Sequence, residues 1–145
     1  WRARLALAAA ACFVLGAAVQ GVGLWRAGLW PWQSTVVTAS QWAAANLPAS
    51  AQLGSFNAGL PGYFVPRGAV NLVGVVNQEA YEAIRARRLL GYLRQAGITH
   101  VLDWRSTVEG DYRPFFELGY LDRLRMVQSF PDPYHGEVAV YEVLP

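Results

Sequence analysis

The feature that most limits what this chain can fold into is an uncharged run over residues 5–25, LALAAAACFVLGAAVQGVGLW, in which Gln20 is the single polar side chain. As a helix rising 1.5 Å per residue, about twenty such residues reach roughly 30 Å, the thickness of a bilayer's hydrocarbon core. Arg2 and Arg4 stand before the run, and Trp25, Arg26, Trp30 and Trp32 stand at or beyond its end. Indole rings favour the headgroup level, so the tryptophans read as an interfacial belt. The arginine bias puts the N-terminal side in the cytoplasm and the remainder outside. A cleavable signal peptide and a buried helix of a soluble protein are the rival readings. The signal peptide is disfavoured by the length of the run and by a first residue, Trp1, that is not methionine. Gln20 with Gly16, Gly21 and Gly23 suits either a face packed on other helices or a single tolerant span.

Composition matters mainly for what it removes. The formal charge is +2, and every basic residue is arginine. That charge is too small to argue for nucleic acid, and there is no basic run and no pattern of aromatic and basic residues together. A GC-rich coding sequence accounts for the arginine, alanine and glycine together. The lone cysteine, Cys12, lies in the apolar run, so no internal disulfide forms. His100 and His135 alone make no metal constellation. No metal or other cofactor is expected.

After the apolar run, Pro31 marks a turn over residues 28–35. Residues 36–47 read as a helix capped by Thr38 or Ser40 and ended by Pro48. Residues 51–56 read as a short strand, and 69–76 as a second, nearly all-apolar strand covered on both faces, with Asn71 a buried amide in it. Asn77 caps a helix whose early Glu79 and Glu82 and late Arg85, Arg87 and Arg88 follow the helix dipole. A second helix over 89–95 stops at Gly97. Residues 98–104 form a third strand, parallel to the second because a helical crossover joins them. Residues 113–124 read as a helix with Pro114 in its first turn. Residues 125–130 and 137–144 form an antiparallel hairpin whose turn holds His135 as a solvated residue. In the last strand, one face is less apolar than the other.

The fold class is therefore α/β: an N-terminal transmembrane helix and interfacial segment over residues 1–32, then a small three-layer-like domain over 33–145. Its mixed sheet has parallel strands and a C-terminal antiparallel hairpin.

Candidate ligand-binding or loop-shaping residues cluster in residues 57–77. Gly59, Gly62 and Gly74 mark places where the backbone turns or meets something closely. The loop holding Asn57, Gly59 and Gly62 suits backbone N–H presentation to an anion, yet lacks the spacing of dinucleotide and P-loop fingerprints. Tyr63, Arg67, Asn71 and Asn77 are the other polar groups of the stretch. Asp103 closes the third strand at the edge where open parallel sheets bind ligands. A structural role there, bonding loop amides or pairing with Arg105 or Arg113, competes with a functional one. No serine–histidine–acid set or glycosidase-like carboxylate pair stands out, so no catalytic residue is assigned.

These residues also carry a resemblance. Asn57, Ala58 and Gly59, then Gly62, Tyr63 and Phe64, then Arg67, then VNL-x-G-x-VN over 70–77, then Tyr81, Tyr92, Leu93, Gly97, Ile98 and Asp103 form a recurring pattern. It resembles the C-terminal extracytoplasmic region of bacterial multi-pass glycosyltransferases of the GT-C superfamily, the dolichyl-phosphate-mannose mannosyltransferase-like proteins. The likeness spans roughly residues 41–104. It departs at Val73, where the family often carries an acidic residue, so a polar role at that position is absent here. The resemblance implies that residues 5–25 are the last of several transmembrane helices in a bacterial cell membrane. It implies a parent that transfers sugar from a polyprenyl-phosphate carrier to an acceptor, with the catalytic aspartate upstream. The fragment alone is then inactive, and its partners are the membrane and, through the parent, lipid-linked sugar and acceptor. The alternatives are a single-span anchored binding module of the cell envelope, and a soluble α/β enzyme with Asp103 and Asn57 at its site.

Overall fold

The computed structural model describes residues 1–28 and 30–145, and the chain divides into two compact units, Trp1–Trp30 and Pro31–Pro145. The first unit is one helix, α1 (Arg2–Ala27). Within it, Arg4–Arg26 is long and apolar enough to cross a membrane, and none of its most apolar window is buried by protein. A helix of that length, place and composition fits a membrane anchor and a signal sequence alike.

The second unit is a mixed five-stranded sheet with helices on both faces. Its elements are α2 (Pro31–Asn46), β1 (Leu53–Ser55), α3 (Gly59–Phe64), β2 (Val70–Asn71), α4 (Gln78–Arg85), α5 (Leu89–Gln95), β3 (His100–Trp104), β4 (Leu124–Asp132) and β5 (Gly136–Val143). The strand order is β2-β1-β3-β5-β4. Strand β1 pairs parallel with both β2 and β3, while β5 pairs antiparallel with β3 and β4. The expected α/β class, mixed sheet and C-terminal hairpin are all present.

Two cores result, because side chains alternate across a sheet. Leu102, Val138 and Val140 point to one face and pack with Val36, Ala39 and Ala43 of α2. Val101, Ala139 and Tyr141 point to the other and pack with Leu89, Leu93, Val108 and Phe116. Each fully buried leucine or valine here contributes roughly 1.5–3 kcal/mol relative to exposure. Strand β5 is buried on both faces from Val138 to Tyr141. The expected less apolar face is therefore covered as well, since β5 is a central strand rather than an edge.

Several boundaries differ from those expected. The turn predicted over 28–35 falls partly on position 29, which lies outside the described residues, and from Pro31 the chain is helical. Proline suits a first helical position, where its missing N–H has no partner to lose. Thr38 and Ser40 are consequently mid-helix, and their hydroxyls donate to the carbonyls of Ser34 and Val36 instead of capping. The second strand shrinks to Val70–Asn71 at the sheet's edge; it lies beside β1 and runs parallel to β3, as expected. Asn71 Oδ1 accepts from the backbone N–H groups of Val73 and Gly74, which bends the chain out of the ladder. Asn71 is half-buried, not the fully buried amide expected.

The single helix predicted over 113–124 is absent. In its place, a π turn at Thr107–Asp111 runs into 3-10 turns at Arg113–Phe115 and Tyr120–Arg123. Gly119, in the left-handed region at φ 78°, separates the two 3-10 turns, and β4 begins at Leu124. By contrast, Asn77 caps α4 as expected, its Oδ1 accepting from Ala80 N at 3.2 Å. Helix α5 covers residues 89–95 as read.

Candidate functional site

The C-terminal ends of β1 and β3 meet at Asp103, which is 2 % exposed. Its Oδ2 accepts from Ser55 Oγ and from Asn57 N, both at 2.9 Å. Its Oδ1 accepts from Asn57 Nδ2 at 2.8 Å and from Trp104 N at 2.9 Å. Burial pushes the Asp103 carboxyl above the usual carboxylate range, and these four donors offset only part of that. A carboxylate so enclosed has no free lone pair aimed at solvent. Its effect is to lock the turn after β1, which carries Asn57, to the end of β3, which carries Trp104. Arg105 does not pair with it. Arg105 instead forms ion pairs with Glu109 and Glu137, both at 2.8 Å.

A second set of side chains fixes the next turn along the same edge. Asn71 holds the backbone of Val73 and Gly74, as above. Asn77 Nδ2 donates to Asn71 O and to Tyr92 Oη, both at 2.8 Å. Gly74 takes φ 85°, and a Cβ there would stand 2.7 Å from Tyr81 Cα. Glycine is required at that point on both counts.

Two clefts open beside the locked turn. One, about 350 Å³, is lined by Phe56, Asn57, Val73, Trp104, Thr107, Asp111, Tyr112 and His135. The other, about 360 Å³, is lined by Trp32, Gln33, Asn57, Gly59, Leu60, Asn71 and Trp104. Phe56, Asn57 and Trp104 line both. The Trp104 indole N–H is buried without a hydrogen-bond partner among the described residues, and its ring sits 4.7 Å from the His135 ring. Phe56 stacks on Tyr112 at 3.9 Å between centroids. Aromatic faces beside amide and carboxylate groups are what a ligand with both apolar and hydroxylated surfaces requires. Larger hollows lie elsewhere. One of about 540 Å³ is lined by Arg105, Glu109 and Glu137, whose charges already satisfy one another.

Of the residues singled out from sequence, the fold brings Asn57, Gly59, Asn71, Asn77 and Asp103 to one edge. Gly59 and Gly62 do not mark strained turns. Both lie in α3, and neither is among the glycines with positive φ. Tyr63 is 81 % exposed on α3, its ring edge-on to Phe64. Arg67 precedes β2 and its charge acts on His100 at the start of β3, so it belongs to the opposite end of the sheet. Burial first, and then the Arg67 charge, hold His100 below the ordinary histidine range, against the opposing pull of Glu142. Ser55 and Trp104 escaped the sequence reading. Ser55 meets Asp103 across 48 positions, so only strand pairing reveals it. Among the described residues, no three His, Cys, Asp or Glu side chains stand together as a metal site would need.

Comparison with known proteins bears on this geometry at one point. The chain belongs to the family described as "Domain of unknown function (DUF8728)", whose profile matches residues 21–141, and so takes in the end of α1, both clefts and the sheet up to Tyr141 of β5. Searches of curated proteins and of solved structures return no match.

Proposed function

We propose that this chain is the membrane-proximal, extracytoplasmic domain of an integral-membrane glycosyltransferase of a bacterial cell. Its sugar donor is a polyprenyl-phosphate-linked sugar, and the transfer chemistry lies in the membrane-embedded part of the parent protein. The observation that carries this reading is the wall shared by the two clefts, to which the Asn57 amide and the aromatic rings of Phe56 and Trp104 all contribute. A sugar ring has apolar C–H faces that stack on an aromatic ring and edges crowded with hydroxyls that pair with amides. The resemblance of residues 57–77 to the GT-C proteins and the apolar helix α1 support the same assignment. On this reading Asp103 is a positioning residue, because its oxygens are already occupied by Ser55, Asn57 and Trp104.

The test is a binding measurement on the full chain in lipid nanodiscs, read by tryptophan fluorescence. A short-chain polyprenyl-phosphate-linked sugar is expected to bind saturably, and Trp104→Ala to weaken it by about tenfold, the size of one lost aromatic contact. Equal binding of a free glycan lacking the lipid would replace this reading with a single-span anchored binding module of the cell envelope. Absence of binding by either ligand would leave the clefts without a sugar-recognition role.

A further inference from the structure

The turn after β2 presents Val75 and Val76 to solvent, 82 % and 81 % exposed. Residues 68–78, GAVNLVGVVNQ, carry no charge. Isolated exposed valines are ordinary on a protein surface. These two are adjacent and lie in a turn that its own side chains tie down. Asn71 and Asn77 tie both legs of the turn, and Gly74 packs its backbone directly on Tyr81. Ordering a turn costs conformational entropy, and here that order keeps apolar side chains out of the core instead of placing them in it. At the base of the turn, half-exposed Tyr81 has the Arg85 guanidinium 5.8 Å from its ring centroid. An apolar turn beside a tyrosine and an arginine is the combination that a bilayer surface selects, with apolar groups among the acyl chains and Tyr and Arg at the headgroups.

The chain itself keeps a membrane within reach. The candidate span ends at Arg26 and the second unit starts at Pro31, so the connection extends less than about 20 Å. A unit of this size has a radius of gyration of about 13 Å. Tethered so closely, it cannot keep every face away from the headgroups.

We infer that the Val75–Val76 turn inserts into the outer headgroup and upper acyl region of the bilayer in which α1 is anchored. The unit is thereby seated with the C-terminal edge of its parallel strands toward the lipid. Val73 of the same turn lines the cleft shared with Asn57 and Trp104, so that cleft opens at the membrane surface. The inference rests on α1 being a membrane span and not on the sugar-transfer reading.

Site-directed spin labelling tests it in vesicles of phosphatidylethanolamine and phosphatidylglycerol. The native Cys12, exposed on α1, reports the span. A label at Val76→Cys in a Cys12→Ser background reports the turn, and one at Leu118→Cys, also fully exposed, serves as the aqueous reference. At Cys12, and less deeply at Val76, collisions with oxygen are expected to exceed those with a water-soluble nickel chelate; at position 118 the ratio reverses. Nickel-dominated collisions at Val76 alongside oxygen-dominated collisions at Cys12 would overturn the inference while leaving the anchor in place. Nickel-dominated collisions at Cys12 would remove the anchor, and the inference with it.

Discussion

The two halves of the sheet are held together by different means. Strands β2, β1 and β3 have two, three and five residues, whereas β4 and β5 have nine and eight. The long pair closes its ladder through its own backbone, with Asp132 holding the turn between the two strands. The short parallel strands have few ladder bonds, and their C-terminal ends are secured by Asp103, Asn57, Asn71 and Asn77. The half that is weakest as a sheet is the half with a built edge. Its polar side chains take over what a longer ladder would do, and in doing so they fix the turns that line the clefts.

The most damaging way to break this contrast is Asp103→Ala, which leaves four donors buried or half-buried without their acceptor. The expected loss is about 3 kcal/mol, read as a shift in denaturant midpoint of the full chain in detergent. A loss no larger than that of a surface substitution would mean that the parallel half does not depend on the carboxylate. Next, Gly74→Ala forces a Cβ onto Tyr81 in a left-handed turn, at a cost of roughly 2 kcal/mol. Hydrogen exchange should place the disturbance in residues 71–81 and leave the hairpin protected. Uniform deprotection would merge the two halves into one cooperative unit.

Acid titration sharpens the contrast through sign. Asp103 titrates above the ordinary carboxylate range, so the native state holds its proton more tightly than the unfolded chain. Its contribution to stability is present below that range and falls as pH rises through the raised value. Asp132, at the end of β4, is the reverse. Burial pushes it up, but the Thr35 hydroxyl and the amides of His135 and Tyr134 together outweigh burial and hold it low. Its stabilisation is present above the ordinary range and is lost as pH falls through the depressed value. Stability-versus-pH curves of Asp103→Ser and Asp132→Asn, each subtracted from the parent curve, should therefore slope in opposite directions. The smallest expected effect is Arg125→Ala on the hairpin. Arg125 pairs with Glu142 in the open, and its loss should change stability by less than about 0.5 kcal/mol.

What could be read in advance follows the same division. Local signals were sufficient where structure is local: the cap at Asn77, the stop at Gly97, the apolar run of α1 and the hairpin turn all declare themselves within a few residues. The valines before Asn77 misled because β-branched residues favour strands, and sequence does not show that Asn71 withdraws the backbone from the ladder. Residues 113–124 misled because aromatic spacing there matches a helix, while Gly119 at positive φ breaks the stretch into two short 3-10 turns. Of the candidate site, Asn57 and Asp103 were legible as polar groups at strand ends. Ser55 and Trp104 became visible only when β1 and β3 were set side by side.

On the proposed reading, in which α1 anchors the chain in a membrane, the outer edge of the hairpin has a further consequence. A register shift between Met126 and Gln128 kinks β4, Arg125 projects from it, and Pro131 removes a donor near its far end. The opposite border of the sheet, β2, is only two residues long. Molecules confined to two dimensions collide side-on far more often than molecules in bulk solution. A straight, nine-residue border would let such collisions zip neighbouring sheets into ribbons. The interrupted border denies them a continuous row of donors and acceptors, so neighbours can jostle at high surface density and still part.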